Sequence, residues 1–267
     1  MPVNSTPSAT DASDNRTIRI LGSKVDLVEI PDVISTMSYW IESEPDRYHF
    51  VVNTGMHGLM EGHRNPEFKA IMNSADLFAP DGILVILIAR ARGAHIKKKG
   101  TGPDLMERFL ESTHDKGYRH FFYGDTDETL GLLTEKVKSQ FPNQTVVGFH
   151  SPPFRPATTE EDDFVVAKIN RLRPDVLWIG LGTPKQERWM FEHRDRLNVP
   201  VTVGVGASFK FATGGVKRSP ALIGNLGFEW LWRLSQEPKR LWRRVLIDAP
   251  QFIGLSLLEL TGLKKFR

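Results

Sequence analysis

The sequence predicts an α/β fold, a Rossmann-like and mostly parallel sheet with helices on both faces, followed by a basic helical C-terminal appendage. Three observations predict it. From about residue 50 to residue 205, short β-branched or aromatic runs alternate with helical segments. Glycine turns stand where these runs end, at Gly124, Gly180-Leu181-Gly182 and Gly204-Val205-Gly206, as strands feeding crossover helices require. The last fifty or so residues abandon the alternation and carry the excess positive charge.

In chain order, Arg16 to Val28 has β-rich flanks around Gly22-Ser23 and predicts a hairpin. Val51-Val52 ends a strand, and Pro66 to Asn73 is a helix with proline in its first turn. Asp76 to Ala79 is a short buried strand leading through Pro80-Asp81-Gly82 into an apolar helix. Pro103 to Ser112 is helical, with apolar residues at helical spacing. Strands follow at His120 to Tyr123, Thr145 to Phe149, Asp175 to Ile179 and Val199 to Val205. Helices are expected between them at Glu128 to Gln140, Glu160 to Leu172 and Lys185 to Arg196. Pro220 to Leu246 reads as a long helical stretch interrupted by Gly224, Gly227 and Pro238.

Composition narrows the function. With no cysteine, disulfides and cysteine-ligated zinc are excluded. The polar stretch Met1 to Asn15 has no apolar segment and reads as a disordered leader. The longest apolar run, Ile83 to Ala89, falls far short of the roughly 20 residues that span a bilayer, so a soluble or peripheral protein is expected. From Lys217 onward ten Lys/Arg face four acids, giving +6 and leaving −3 for the rest. The expected organisation is a leader (1–15), an α/β body (16–216) and an appendage (217–267). In the appendage Trp230, Trp232 and Trp242 interleave with Arg233, Lys239, Arg240, Arg243 and Arg244, which suits a membrane interface or a helix packed on the core.

The strand-to-helix turns are where a parallel sheet binds ligands. Asp81 can act there as a general base or cap the next helix. Lys97 to Asp104, with Lys99, Thr101 and Asp104, offers cations and a helix start to a phosphate. Gly180 to Glu187 resembles a dinucleotide fingerprint, but Lys185 stands where the third glycine belongs, so the turn reads as a diphosphate or sugar contact. Asp125-Thr126-Asp127 has the form of an Asp-x-Asp cation motif, yet its position after Gly124 favours a helix start. No His-x-x-x-His pair, nucleophile elbow or Walker loop occurs.

Together these turns resemble the WecG/TagA/CpsF family of glycosyltransferases, glycosyltransferase family 26. The similarity rests on Ala75-Asp76-Leu77 with Ala79-Pro80-Asp81-Gly82, on Thr101 to Met106, on Gly182-Thr183-Pro184-Lys185-Gln186-Glu187, on Gly204 to Phe209, and on Gly227 to Leu234 continuing to Arg244. It covers about residues 20 to 255. The resemblance implies inverting, metal-independent transfer from a UDP-sugar to a polyprenyl-diphosphate-linked saccharide in cell-surface polysaccharide synthesis, at the inner face of the cytoplasmic membrane. It implies Asp81 as the base and Gln186 near the donor. Asn53, Lys99, Thr101, Asp104, Gly182, Lys185, Gly206 and Phe209 fall on donor-side motifs. It implies that Arg233, Arg240, Arg243 and Arg244 meet diphosphate or lipid. No cofactor, metal or nucleic acid is expected; the partners are donor, acceptor and an anionic membrane.

Two positions depart from the family pattern. Where Thr-x-Asn-x-Glu/Asp is common, this chain has Asn53-Thr54-Gly55-Met56-His57, and Lys99 replaces an arginine, keeping charge but losing the bidentate fork. The expected mechanism is a single displacement in which Asp81 deprotonates the acceptor hydroxyl, while Lys99 or the tail arginines, with helix-start amides, stabilise departing UDP. An NAD-dependent oxidoreductase and a non-enzymatic membrane-binding module are the alternatives.

Overall fold

The computed structural model describes residues 17–94, 96, 100–217, 219–220 and 229–266. The expected leader, Lys99 and the Gly227-Phe228 part of the tail motif lie outside the described residues.

A hairpin opens the fold, β1 (Thr17–Ile20) against β2 (Ser23–Asp26). Its turn falls at Leu21-Gly22, both with positive φ, so Ser23 pairs within the ladder instead of turning it. The main sheet comprises β3 (His49–Thr54), β4 (Leu77–Pro80), β5 (Arg119–Gly124), β6 (Thr145–His150), β7 (Val176–Gly180) and β8 (Val201–Gly204). All six run parallel in the order β4-β3-β8-β7-β5-β6.

Both faces of this sheet are buried, which explains its continuous apolar strands. Phe50, Val52, Phe121, Tyr123, Leu177 and Ile179 point to one face. They meet α2 (Met56–Arg64), α3 (Pro66–Asn73), α4 (Ile83–Ala91), α7 (Thr159–Leu172) and α8 (Lys185–His193). The alternate residues Val51, Phe122, Trp178, Val201 and Val203 face α1 (Ile30–Ser43), α5 (Gly102–Ser112), α6 (Asp127–Gln140) and the short α9 (Ser208–Ala212). The alternation is the period of two that a strand imposes.

Helix starts follow their caps. Thr101 and Thr126 each accept the N–H three residues on, and Thr158 with Glu161 forms a capping box. α8 ends at His193, three residues before the expected end. The expected interruption at Pro238 separates α10 (Glu229–Gln236) from α11 (Pro238–Arg243), and the helical chain runs past the expected end at Leu246 through a π-helical turn at Arg244–Asp248 into α12 (Ala249–Leu260).

α12 is fastened to the body. Phe252 is fully buried, which stabilises the docking by roughly 1.5–3 kcal/mol. Arg64 Nη2 reaches Asp248 Oδ1 at 2.5 Å and Gln251 Oε1 at 2.9 Å. Glu259 pairs with Arg92 at 2.7 Å and accepts the Leu21 N–H at 3.0 Å. Among the described residues no helix is long and apolar enough to cross a membrane.

Candidate active site

The sheet order places the functional turns side by side. From β5 the chain moves outward to β6, whereas from β7 it moves the other way to β8, so the carboxyl ends of β5 and β7 border a switch point. A cleft of about 530 Å³ opens there, lined by Asp125, Gly182, Lys185, Arg188, Gly206, Lys210 and Arg240 among others. Its floor is tight: a Cβ on Gly124 would stand 2.7 Å from the Gly180 carbonyl carbon, so no larger residue fits between these strand ends. Lys185, Arg188, Lys210 and Arg240, with Arg155, outnumber Asp125, Asp162 and Glu192 along its lining, which suits a diphosphate.

Gln186 sets the shape of that cleft from behind. It is 1% exposed, and its Oε1 accepts the N–H groups of Gly182 at 3.2 Å and Gly206 at 3.0 Å. Its Nε2 donates to Glu187 Oε1, which also accepts from the Thr183 hydroxyl at 2.7 Å. Glu187 is fully enclosed, and burial pushes its carboxyl above the usual range against the pull of these hydrogen bonds.

Asp81 lies at the far end of the same edge. Its N–H bonds the Thr54 carbonyl at 3.1 Å, and its backbone bridges to Gly100. The next helix starts after Gly82, which has no side chain to cap it. Asp81 lines a second pocket of about 440 Å³, otherwise mostly apolar, between α4 and the C-terminal helices. Arg233 and Arg244 line it too, with Trp230, Leu241 and Ile253. Burial, then the charges of Arg240 and Arg233, lowers the Arg244 pKa, while Asp248 and Glu61 oppose the fall. The Arg233 Nε is enclosed with no hydrogen-bond partner among the described residues. Concentrated, underpaired positive charge of this kind is a receptor for an anion.

The remaining expected residues divide. Thr101 and Asp104 cap α5 and bond each other at 2.6 Å. Asn53 is buried against the start of α5, with Nδ2 on the Ala79 carbonyl and Oδ1 without a partner among the described residues. Phe209 is a core side chain, edge-on to Phe122 and pressed on Gly180, and lines neither cavity. Arg243 also lines neither, lying over the Trp242 ring. In the Asp-x-Asp triplet Thr126 is the cap, Asp127 stands exposed in the first turn of α6, and Asp125 adopts a left-handed conformation beside Lys210.

His57, which sequence reasoning noted only as a departure, lies near Arg244 and Thr183 but lines neither cavity. Burial, followed by the Arg244 charge, lowers its pKa to about 4, so the ring is neutral at pH 7. Its Nδ1 is enclosed without a partner among the described residues. Lys210 and Arg188 were also missed, since nothing in their local sequence distinguishes them from surface cations.

Comparison with known proteins places the chain in a family. The sequence model described as "Glycosyl transferase WecG/TagA/CpsF family" matches residues 18–265. The chain is 31% identical over 208 residues to a Bacillus spizizenii protein, 78% of each chain being covered. It is 28% identical to a Bacillus subtilis protein, covering 76% of this chain and 77% of the relative. A Staphylococcus aureus protein is 24% identical, with 87% and 90% covered. All three relatives are named N-acetylglucosaminyldiphosphoundecaprenol N-acetyl-beta-D-mannosaminyltransferase.

Proposed function

The chain belongs to the WecG/TagA/CpsF glycosyltransferase family, and from that premise we propose that it transfers a sugar from a UDP-sugar to a polyprenyl-diphosphate-linked saccharide, with inversion and without a metal. Membership sets aside both the oxidoreductase and the non-enzymatic module. The observation that carries the reading is the order of groups along one sheet edge. The cationic cleft lies at β8, β7 and β5, and Asp81 at β4. With strands about 4.8 Å apart, β4 and β7 are separated by roughly 14 Å, a span suited to an extended nucleotide-sugar.

In this reading the diphosphate rests on the Gly182 and Gly206 turns beside Lys185, and the sugar extends toward Asp81. The acceptor hydroxyl gives its proton to the Asp81 carboxylate as its oxygen attacks the anomeric carbon. The bond from that carbon to the β-phosphate oxygen breaks on the opposite face, and UDP leaves with the negative charge. Lys99 stays a proposed donor-side cation on sequence grounds alone.

The acceptor's diphosphate would meet Arg233 and Arg244, and its first isoprene units the apolar lining of the smaller pocket. Residues 217–267 act in this proposal as a membrane-facing appendage. Trp230, Trp242, Leu246, Ile247, Leu257 and Leu263 are exposed there beside Lys239, Arg240, Arg243 and Lys264, a combination suited to an anionic lipid surface. The test is to incubate purified protein with UDP-N-acetylmannosamine or other UDP-sugars and a short-chain polyprenyl-diphosphate-N-acetylglucosamine. Formation of the elongated lipid and UDP supports the reading; no transfer with any UDP-sugar sinks it.

A further inference from the structure

Asp125 stands outside the machinery described above, yet its geometry is specific. It follows the last residue of β5 and borders the switch-point cleft. Its φ is 56°, a left-handed conformation that few side chains accept and that asparagine and aspartate accept best. Two hydrogen bonds hold it: the Ser151 hydroxyl donates to its carbonyl at 2.6 Å, and the Thr126 N–H donates to its Oδ1 at 2.9 Å. Its side chain is only 6% exposed, and Lys210 Nζ lies 4.0 Å from Oδ1. Oδ2 has no hydrogen-bond partner among the described residues. A carboxylate so fixed, in a cleft where Lys185, Arg188, Lys210 and Arg240 stand with Asp162 and Glu192, offers a hydrogen-bond acceptor.

We propose that the Asp125 carboxylate accepts a hydrogen bond from a ribose hydroxyl of the bound nucleoside diphosphate and so sets the nucleoside end of the donor cleft. This rests on the nucleotide-sugar reading above. Three features support it. In open parallel sheets that bind nucleotides, an acid near a glycine turn at the strand ends accepts from ribose, while the turn approaches the phosphates. Gly180-Leu181-Gly182 supplies that turn on β7, the strand hydrogen-bonded to β5. Among the groups bordering the cleft, Asp125 is one strand further from Asp81 than the Gly182 turn, so nucleoside, diphosphate and transferred sugar follow in their covalent order. The Lys210 ammonium, 4.0 Å from Oδ1, offsets the repulsion between this carboxylate and a neighbouring diphosphate.

The experiment measures binding of UDP, 2′-deoxy-UDP and 3′-deoxy-UDP by calorimetry to wild type, Asp125→Gly and Asp125→Asn. Glycine adopts this backbone without strain and removes the carboxylate; asparagine keeps the shape and loses the charge. Thermal unfolding of each variant checks the fold. Wild type is expected to bind at least one deoxynucleotide about 10-fold or more weaker than UDP, since a hydrogen bond to a charged group is lost. Asp125→Gly is expected to bind UDP weaker by a similar factor and to treat all three nucleotides alike, with Asp125→Asn intermediate. A folded Asp125→Gly that keeps the wild-type preference for the full ribose overturns the assignment while leaving the donor reading intact. A wild type that binds no UDP removes both.

Discussion

The Thr54 and Thr183 hydroxyl oxygens stand 3.3 Å apart, linking the end of β3 to the turn after β7. Thr54 also hands its carbonyl to the Asp81 N–H, and Thr183 donates to Glu187. The Asp81 end of the edge and the cleft end are therefore joined through a short polar chain rather than through the core. Disturbance of either threonine reaches both cavities.

Asp81→Asn should lower transfer by roughly 10²–10⁴-fold, the usual cost of losing a general base. UDP binding and the unfolding midpoint should stay at wild-type values, because the carboxylate lines the smaller pocket and not the cationic cleft. Turnover above about a tenth of wild type would remove Asp81 from the role.

Transfer should survive EDTA, and Asp127→Ala should change it by no more than about twofold. Asp125 and Asp127 open onto different depressions, so the two carboxylates do not converge on one cation. Activity lost to the chelator and restored by Mn²⁺ would revive a metal-assisted departure of UDP.

Charge reversal at Arg233 or Arg244 should impair transfer even to a water-soluble, short-chain acceptor, as both line the pocket beside Asp81. Charge reversal at Arg243, which lines neither cavity, should weaken binding to anionic vesicles and leave the soluble assay near wild type. Each basic residue near such a surface contributes about 1 kcal/mol, so vesicle binding should fall steeply with salt. Full recovery of the Arg233 and Arg244 variants with soluble acceptor would assign all these arginines to anchoring alone.

Glu187 gives a pH signature. Its carboxyl titrates higher in the fold than in the unfolded chain, so between the ordinary glutamate value of 4.5 and that raised value the native state binds more protons. Stability from this group is present at the acid end and is lost as pH rises through the folded pKa. Urea unfolding of wild type and Glu187→Gln from pH 7.5 to 4.5 should show wild type gaining on the variant as pH falls. A constant difference between the two would mean that Glu187 does not titrate differently on folding.

Much of this architecture was legible because each strand of the sheet is an apolar run followed by a turn with a structural task. The helix Pro66–Asn73 was read to the residue from Pro66, whose preceding Asn65 provides the cap. α2 was missed because Gly58 and Gly62 argue against a helix. Yet a Cβ on Gly58 would stand 2.5 Å from the Thr54 methyl and one on Gly62 2.4 Å from Met72 Cε, so close packing chose glycine over propensity. α12 was missed because Gly254 lies inside it and lowers its helix propensity. At the site, Gln186 and Asp81 were visible through their motifs. That Gln186 works inward, through two backbone N–H groups, depends on residues twenty positions apart and is invisible to local reading.

The position of β8 has a consequence for assembly. Val201–Gly204 is the last strand among the described residues but lies in the middle of the sheet, hydrogen-bonded to β3 on one side and β7 on the other. Before it inserts, β4-β3 and β7-β5-β6 have no strand pairing between them. β3 therefore waits for a partner about 150 residues further along the chain, His49 pairing with Val201, and contacts so distant in sequence slow folding. Fragments ending before residue 201 will lack the strand that joins the two half-sheets, and their two unpaired strand edges are natural templates for aggregation and for chaperone capture.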